Sequence, residues 1–191
     1  FLFIIVILYW ILPKKSRLWT IFLGSLTFYG FWRVEFLSIV LLSTILDYFI
    51  SLQLNRTPDK NHIKRKILLL VILVFNLCLL IYFKYTYFII DNLNWVFGID
   101  RDISLLEIIL PLGISFYTFQ TISYTIDVYR RHAKAEKSFV LYGCYVTFFP
   151  QLVAGPILRA GEVIGQLVER PKFRLEYLVD GTKRILYGLF L

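Results

Sequence analysis

Residues 67–90 read ILLLVILVFNLCLLIYFKYTYFII, and this stretch decides the class of fold. At ~1.5 Å per residue, a helix of this length exceeds the ~30 Å hydrocarbon core of a bilayer. Its single charged residue is Lys84, which lies near one end, where a long side chain reaches the interface. The stretch therefore predicts a membrane-spanning helix that is long enough to tilt.

The whole chain has the same character. It has 191 residues, of which 58% are hydrophobic, whereas ordinary globular chains carry about 45–50%. The apolar residues form blocks that are separated by short basic runs, which predicts an all-α polytopic membrane protein with about five transmembrane helices plus a re-entrant hairpin.

The net charge of +8 lies in the loops, so it does not indicate a nucleic-acid partner. Cys78 and Cys144 lie inside apolar blocks and are interpreted as small hydrophobic residues.

The apolar blocks divide the chain into predicted spans. They lie at 1–12, 18–32, 36–54, 67–90 and 103–127, the last interrupted by Pro111 and Gly113, with loops at 13–17, 33–35, 55–66, 91–102 and 128–138. The first block is too short to cross the bilayer, the sequence contains no Met, and residues 185–191 open another apolar block. We therefore expect residues 1–191 to be the N-terminal part of a single membrane domain, truncated at both ends.

Lysine and arginine are distributed unevenly among the loops. Loops 13–17, 55–66 and 128–138 carry 3, 5 and 4 of them, whereas loops 33–35 and 91–102 carry 1 each. Because loops on the inner side of a membrane are enriched in positive charge, the three basic loops are predicted to be cytoplasmic.

A broken apolar segment follows the last basic loop. Residues 147–162 read TFFPQLVAGPILRAGE, with Pro150, Gly155 and Pro156 inside the segment and Arg159 at its end. Six further Lys or Arg residues occupy 159–184, so a complete crossing by 139–158 would place them outside. Prolines break helices, and irregular backbone at this depth must face protein or a wet cavity. We expect a re-entrant hairpin; the alternative is a kinked but complete span.

Polar residues occur inside two apolar blocks. Tyr117, Gln120, Thr121 and Tyr124 share one face of the fifth span at ~100° per residue, opposite Phe119. This face is predicted either to line a substrate passage or to hydrogen-bond to neighbouring helices. Together with Pro150, Gln151, Gly155, Pro156 and Arg159 these four residues are the tunnel-lining candidates. Asp47, an intramembrane acid, is either functional or a structural partner of another helix.

The residues that usually carry catalysis are not arranged for it here. His62 and His132 lie in basic loops, where no shielded pocket or orienting partner is expected for a general base. The sequence contains no Cys/His cluster suited to zinc, no phosphate-binding glycine loop and no nucleophile elbow. We therefore predict no catalytic residue and no metal site in this chain.

Four stretches together are similar to one family. FYGFWRVEFL (28–37) with STILDYFISL (43–52), LPLGISFYTFQTISYTIDVYR (110–130), FFPQLVAGPILR (148–159) and DGTKRILYGLF (180–190) occur in the chain in this order. This set resembles the membrane-bound O-acyltransferases, and within them the branch that contains the alginate O-acetyltransferase membrane subunit. The resemblance covers nearly the whole chain.

The resemblance implies a multi-helix fold around a tunnel in the bacterial inner (cell) membrane, surrounded by lipid. An acyl group, for this branch usually acetyl, would pass from a cytoplasmic thioester donor, acetyl-CoA or an acyl carrier, to an exported polysaccharide such as alginate or to a periplasmic or extracellular relay protein. No cofactor would be bound. The essential histidine of the family lies in a later segment, so we expect it beyond Leu191 and expect residues 1–191 alone to be inactive.

Other interpretations of these features remain open. Broken helices and intramembrane acids also occur in transporters, so a fragment of a polytopic transporter or flippase is the alternative. A pure membrane scaffold is a third possibility, and it predicts that changes at Gln120 and Tyr124 alter assembly but not acyl transfer. Arg159 is a candidate to hold an anionic donor or carrier, or is a topology-determining charge.

Overall fold

The computed structural model describes residues 1–98, 108–152, 155, 158–169 and 173–190. Within these ranges all regular structure is helical, as predicted. The helices are α1 (Leu2–Ile11), α2 (Arg17–Trp32), α3 (Val34–Arg56), α4 (His62–Leu80), a π-helical turn (Ile81–Tyr85), α5 (Thr86–Phe97), α6 (Ile114–Tyr129), α7 (Phe139–Thr147), α8 (Phe149–Leu152), α9 (Ala160–Glu169) and α10 (Leu175–Phe190).

Most helix ends have a local cause in the sequence. Arg33 alone is extended between α2 and α3, and the Asn61 side chain accepts a hydrogen bond from the Lys64 N–H at the start of α4. The helix from His62 continues through the π turn and α5 to Phe97, so the prediction of a loop over 91–102 is wrong for 91–97. It ends at Gly98, which adopts the left-handed conformation that glycine tolerates best; residues 99–102 lie outside the described residues.

In the described part of the chain, two helices are long and apolar enough to cross a membrane. They are Val34–Arg56 and the continuous helix His62–Phe97. The most apolar 18-residue stretch of the second helix has a mean hydropathy of 2.7, and only 17% of it is buried. A core helix of a water-soluble protein would bury such a surface, whereas a lipid-facing helix exposes it. The exposed apolar surface of His62–Phe97 therefore favours a membrane protein. The other apolar helices, including Leu2–Ile11 and Phe139–Leu152, are shorter.

Helix α3 is the central element of the bundle. It packs against α2, α4, α6 and α7, while α4 also packs along α6 and α2 along α7. Its buried face carries Ser43, Thr44, Asp47 and Ser51 beside Val40. Hydroxyl and carboxylate groups therefore point into the bundle, and apolar side chains such as Phe49, which is 61% exposed, point outward.

The start of α6 is fixed by a turn at Pro111–Gly113. Gly113 has φ +69°, and a Cβ at this position would lie 3.0 Å from the carbonyl oxygen of Leu152. Because only glycine fits both the backbone angle and this contact, α6 begins directly against the end of α8. The Tyr29 hydroxyl donates to the Leu112 carbonyl and ties α2 to the same turn.

The described part of the broken segment contains the short helix α8. Ser138 caps α7 by accepting the Leu141 N–H, Phe148 leaves the helical conformation, and Pro150 lies in the first turn of α8, where its missing N–H costs no intrahelical bond. Helix α9 then packs against α7.

Candidate functional site

The polar face of α6 lies in the interior of the bundle. Tyr117, Gln120, Thr121 and Tyr124 are all at most 2% exposed, whereas Phe119 on the other side of the helix is 46% exposed. The polar face of α6 is therefore buried, and the opposite face at Phe119 is exposed. Whether the four residues line a substrate passage stays a prediction.

Two hydrogen bonds join this face to α7. The Gln120 side-chain N–H donates to the Tyr145 carbonyl at 2.8 Å, and the Tyr145 hydroxyl lies 3.3 Å from the Gln120 carbonyl and 3.4 Å from the Leu158 carbonyl. The Tyr124 hydroxyl accepts the Glu136 N–H at 2.8 Å. Helices α6 and α7, the loop before α7 and residue 158 are therefore fastened together around the polar face.

A second buried polar group surrounds Asp47. Its Oδ1 accepts a hydrogen bond from Asn76 Nδ2 at 2.8 Å, and Thr121 lies beside the carboxylate. Tyr117 and Tyr142 are close enough for its charge to act on their hydroxyls. We call this set, drawn from α3, α4, α6 and α7, the Asp47 centre; its members are Asp47, Asn76, Tyr117, Thr121 and Tyr142.

A third polar group joins the two longer basic loops. Arg65 is 4% exposed and donates to the carbonyls of Leu54, Thr57 and Tyr129. Arg131 donates to the carbonyls of Asn55 and Thr57 at 2.7 Å. Both guanidinium groups reach Asp59 Oδ1, at 3.3 and 3.1 Å. We call Arg65, Arg131 and Asp59 the basic clasp, which holds residues 54–59 against residues 129–131.

The broken segment contributes its candidates in different ways. Gln151 is buried, and Gly155 lies in a pocket of about 200 Å³ together with Gly113, Ser115 and Leu152. Pro150 is exposed and lines a separate apolar pocket with residues of α1 and α2, and Arg159 is exposed directly before α9. Pro156 lies outside the described residues.

The histidines are not part of any buried cluster in the described part of the chain. His62 begins α4 and His132 lies in the loop after α6, and both are exposed. Neither has the shielded position that a general base needs.

Sequence reasoning missed several members of these clusters. Asn76 is the one amide inside the stretch 67–90, and Tyr142 and Tyr145 follow each other by three residues in an apolar block. These signals were visible, because a polar residue at membrane depth is expensive unless it has a partner. The burial of Arg65 had no such signal, since it lies among exposed basic residues.

These features define the class of protein: over the described residues it is a helical membrane protein with an apolar outer surface and with clusters of polar side chains inside a largely hydrophobic core. Comparisons with known proteins carry this further. The chain is 35% identical over 184 residues to a probable alginate O-acetylase of Azotobacter vinelandii and 36% identical over 184 residues to that of Pseudomonas aeruginosa, each alignment covering 95% of the chain. It is 32% identical over 203 residues to a peptidoglycan O-acetyltransferase of Helicobacter pylori.

These relatives confirm the predicted resemblance to alginate O-acetylases over 95% of the chain. The chain spans about a third of the length of the curated relatives it matches, at 36%, 35% and 37%. No family profile matches the chain. No solved structure matches it either.

Proposed function

We propose that the chain is part of a membrane O-acyltransferase, which passes an acyl group, most simply acetyl, from a cytoplasmic thioester donor to hydroxyls of an exported polysaccharide such as alginate. The observation that carries this proposal is the similarity over 95% of the chain to relatives named as polysaccharide O-acetylases. The relative named for peptidoglycan supports a polysaccharide acceptor without fixing which one.

The proposed topology is that of a multi-pass protein of the bacterial inner membrane, with about five spans and a re-entrant hairpin at 139–158. The basic clasp supports it, because Arg131 can reach residues 55–59 only if loops 55–66 and 128–138 lie on the same side. The contact of α9 with α7 and the approach of the Tyr145 hydroxyl to the Leu158 carbonyl support a segment that turns back.

Cysteine labelling tests this topology. A variant lacking the exposed Cys78 would carry Glu162→Cys, with Lys60→Cys as the inner reference and Glu35→Cys as the outer reference. An impermeant thiol reagent added to intact spheroplasts should modify Glu35→Cys alone. Modification of Glu162→Cys from outside would exclude the hairpin and favour a kinked span.

The polar face of α6 is the proposed wall of the acyl passage. Tyr117, Gln120, Thr121 and Tyr124 face the interior on the same helix whose first turn meets the broken segment at Leu152 and Gly155. An acyl group that crosses from a cytoplasmic acetyl-CoA or acyl carrier to an outer acceptor or relay protein needs polar groups around its carbonyl. The irregular backbone of the broken segment needs protein or water around it, which the same passage would supply. Arg159 is the proposed contact for an anionic donor or carrier.

No residue of this chain is proposed as the catalytic base, since both histidines are exposed. The proposed positioning groups are hydroxyls and amides, and the packing among α3, α4, α6 and α7 supports this proposal because it holds these groups inside the bundle. Their role in this proposal is to orient an acyl carbonyl and to exclude bulk water, which are contributions to catalysis that precede proton transfer.

The direct test is acetyl incorporation into the exported polysaccharide of the source bacterium. Deleting the gene should remove ester-linked acetyl while leaving polymer export intact, and supplying the full-length gene should restore it. Loss of export with unchanged acetylation of the residual polymer would instead support a transporter or flippase, which the acetylase relatives do not favour.

A further inference from the structure

Only one of the two oxygen atoms of the Asp47 carboxylate has a hydrogen-bond partner within the described protein. Oδ1 accepts the Asn76 amide, but Oδ2 has no partner among the described residues, and the side chain is 0% exposed. The ion pairs found in the described ranges involve Arg33, Arg65 and Arg131, none of which reaches Asp47. A buried carboxylate oxygen without a donor is costly, so it calls for a ligand that donates.

Further buried atoms without a partner occur on the helices that pack against α3. Asn76 Oδ1, Thr118 Oγ1 and the hydroxyls of Tyr117 and Tyr142 are all buried and have no hydrogen-bond partner in the part of the chain that is described. Asn76 donates a hydrogen bond to Asp47, and the charge of Asp47 acts on both tyrosine hydroxyls although neither is hydrogen-bonded to it. The Thr121 hydroxyl lies within reach of the carboxylate and also donates to the Thr118 carbonyl at 3.1 Å, but Oδ2 still has no partner among the described residues.

The chemistry of these atoms selects the ligand. Asp47 Oδ2 and Asn76 Oδ1 are acceptors that lack donors, and the two tyrosine hydroxyls are donors that lack acceptors. A metal cation would satisfy the oxygens but would leave both hydroxyl protons without an acceptor. Water both donates and accepts, and it is held in protein interiors where two to four polar groups converge.

We propose that the Asp47 centre is an internal water-binding site, in which one or two water molecules bridge Asp47 Oδ2 and Asn76 Oδ1 to the hydroxyls of Tyr117 and Tyr142. The bridge joins α3, α4, α6 and α7. Such a bridge is nearly as favourable in enthalpy as a direct hydrogen bond. It makes Asp47 a positioning residue, which holds Tyr117 and Tyr142 through water. Acidic residues inside membranes generally face a wet or polar interior, and Asp47 fits this rule.

Hydroxyl-radical footprinting by X-ray radiolysis tests this site, because it modifies buried side chains that lie against bound water. The full-length protein in nanodiscs should show oxidation of Tyr117 and Tyr142 several-fold faster than of Tyr29 and Tyr145. All four rings are at most 1% exposed, but the hydroxyls of Tyr29 and Tyr145 are bonded to backbone carbonyls. Equal protection of all four tyrosines would overturn the proposal.

A variant and a salt comparison sharpen the test. Asp47→Leu should slow oxidation of Tyr117 and Tyr142 and leave Tyr29 unchanged; a variant that does not fold leaves the wild-type footprint as the deciding result. The melting temperature of the wild type should be the same in sodium chloride and in choline chloride at equal ionic strength. A rise of several degrees in sodium alone would overturn the water assignment in favour of a bound cation.

Discussion

The basic clasp and the Asp47 centre are two polar clusters in one helical bundle, and they differ in how completely they are bonded. In the clasp, Arg65 and Arg131 make six hydrogen bonds to Asp59 and to backbone carbonyls. In the Asp47 centre, four buried oxygen atoms have no partner among the described residues. The clasp is complete as protein alone, whereas the Asp47 centre needs a ligand to be complete.

This difference indicates that the basic clasp stabilises the fold, whereas the Asp47 centre serves binding or function. A fully bonded cluster fixes the relative position of two loops, and its removal should change stability. Buried polar groups without partners in a cluster lower the stability of the fold, and natural proteins keep such groups mostly at binding and functional sites. The two clusters should therefore respond differently to the loss of one polar group, and mutations at matched positions test this.

Arg65→Ala should have the largest effect on stability. It leaves the carbonyls of Leu54, Thr57 and Tyr129 without this donor in a buried place, and removing one partner of a buried charged network costs about 3 kcal/mol or more. Thermal unfolding in detergent should show a clear drop in melting temperature. Lys66→Ala, at the exposed neighbouring position, is the control. If both variants melt like the wild type, the clasp does not stabilise the fold.

Arg131→Ala should have a smaller effect, because this side chain is 36% exposed and water can replace its bonds. The expected loss is about 1 kcal/mol. Arg131 also has φ +62°, so Arg131→Gly should lose less stability than Arg131→Ala, since glycine tolerates this angle. Arg130→Ala serves as the neighbouring exposed control. An equal loss in the Ala and Gly variants would show that the backbone angle contributes nothing.

A matched pair of tyrosines should show the smallest effects and the clearest contrast. Tyr29→Phe removes a hydroxyl that bonds to the Leu112 carbonyl, which should cost about 1 kcal/mol. Tyr117→Phe removes a hydroxyl that has no direct bond to a described protein atom, and the proposed water can keep its bonds to Asp47, Asn76 and Tyr142, so the melting temperature should stay within about 2 °C of the wild type. A larger loss for Tyr117→Phe than for Tyr29→Phe would mean that the Tyr117 hydroxyl is bonded as firmly as that of Tyr29.

Much of the fold followed from the sequence because apolar block length and helix breakers act locally. The spans at 36–54 and 67–90 lie within α3 and the helix His62–Phe97, and Pro111 with Gly113 does precede a helix, α6. The loop predicted at 91–102 was wrong over 91–97. Asp91, Asn92 and Asn94 suggest a loop by composition, but exposed polar residues at the end of a long helix are equally stable there.

The site was predictable only in part. The polar face of α6 and the acid at position 47 follow from helical period and from the cost of a charge in lipid. Their partners Asn76 and Tyr142 lie 29 and 95 positions away from Asp47 in the sequence, so their contact depends on how α3, α4 and α7 pack. Packing of this kind is not encoded in any single segment.

The most direct test of the central claim is the acetyl content of the exported polysaccharide in cells that carry full-length Tyr117→Phe, expressed per amount of folded protein in the membrane. Phe119→Leu, on the exposed face of the same helix, is the control. If the polar interior of the bundle serves acyl transfer, Tyr117→Phe should lower acetylation several-fold at normal protein levels, and Phe119→Leu should not. Unchanged acetylation in Tyr117→Phe would contradict the proposed passage along this face and would leave it a packing surface.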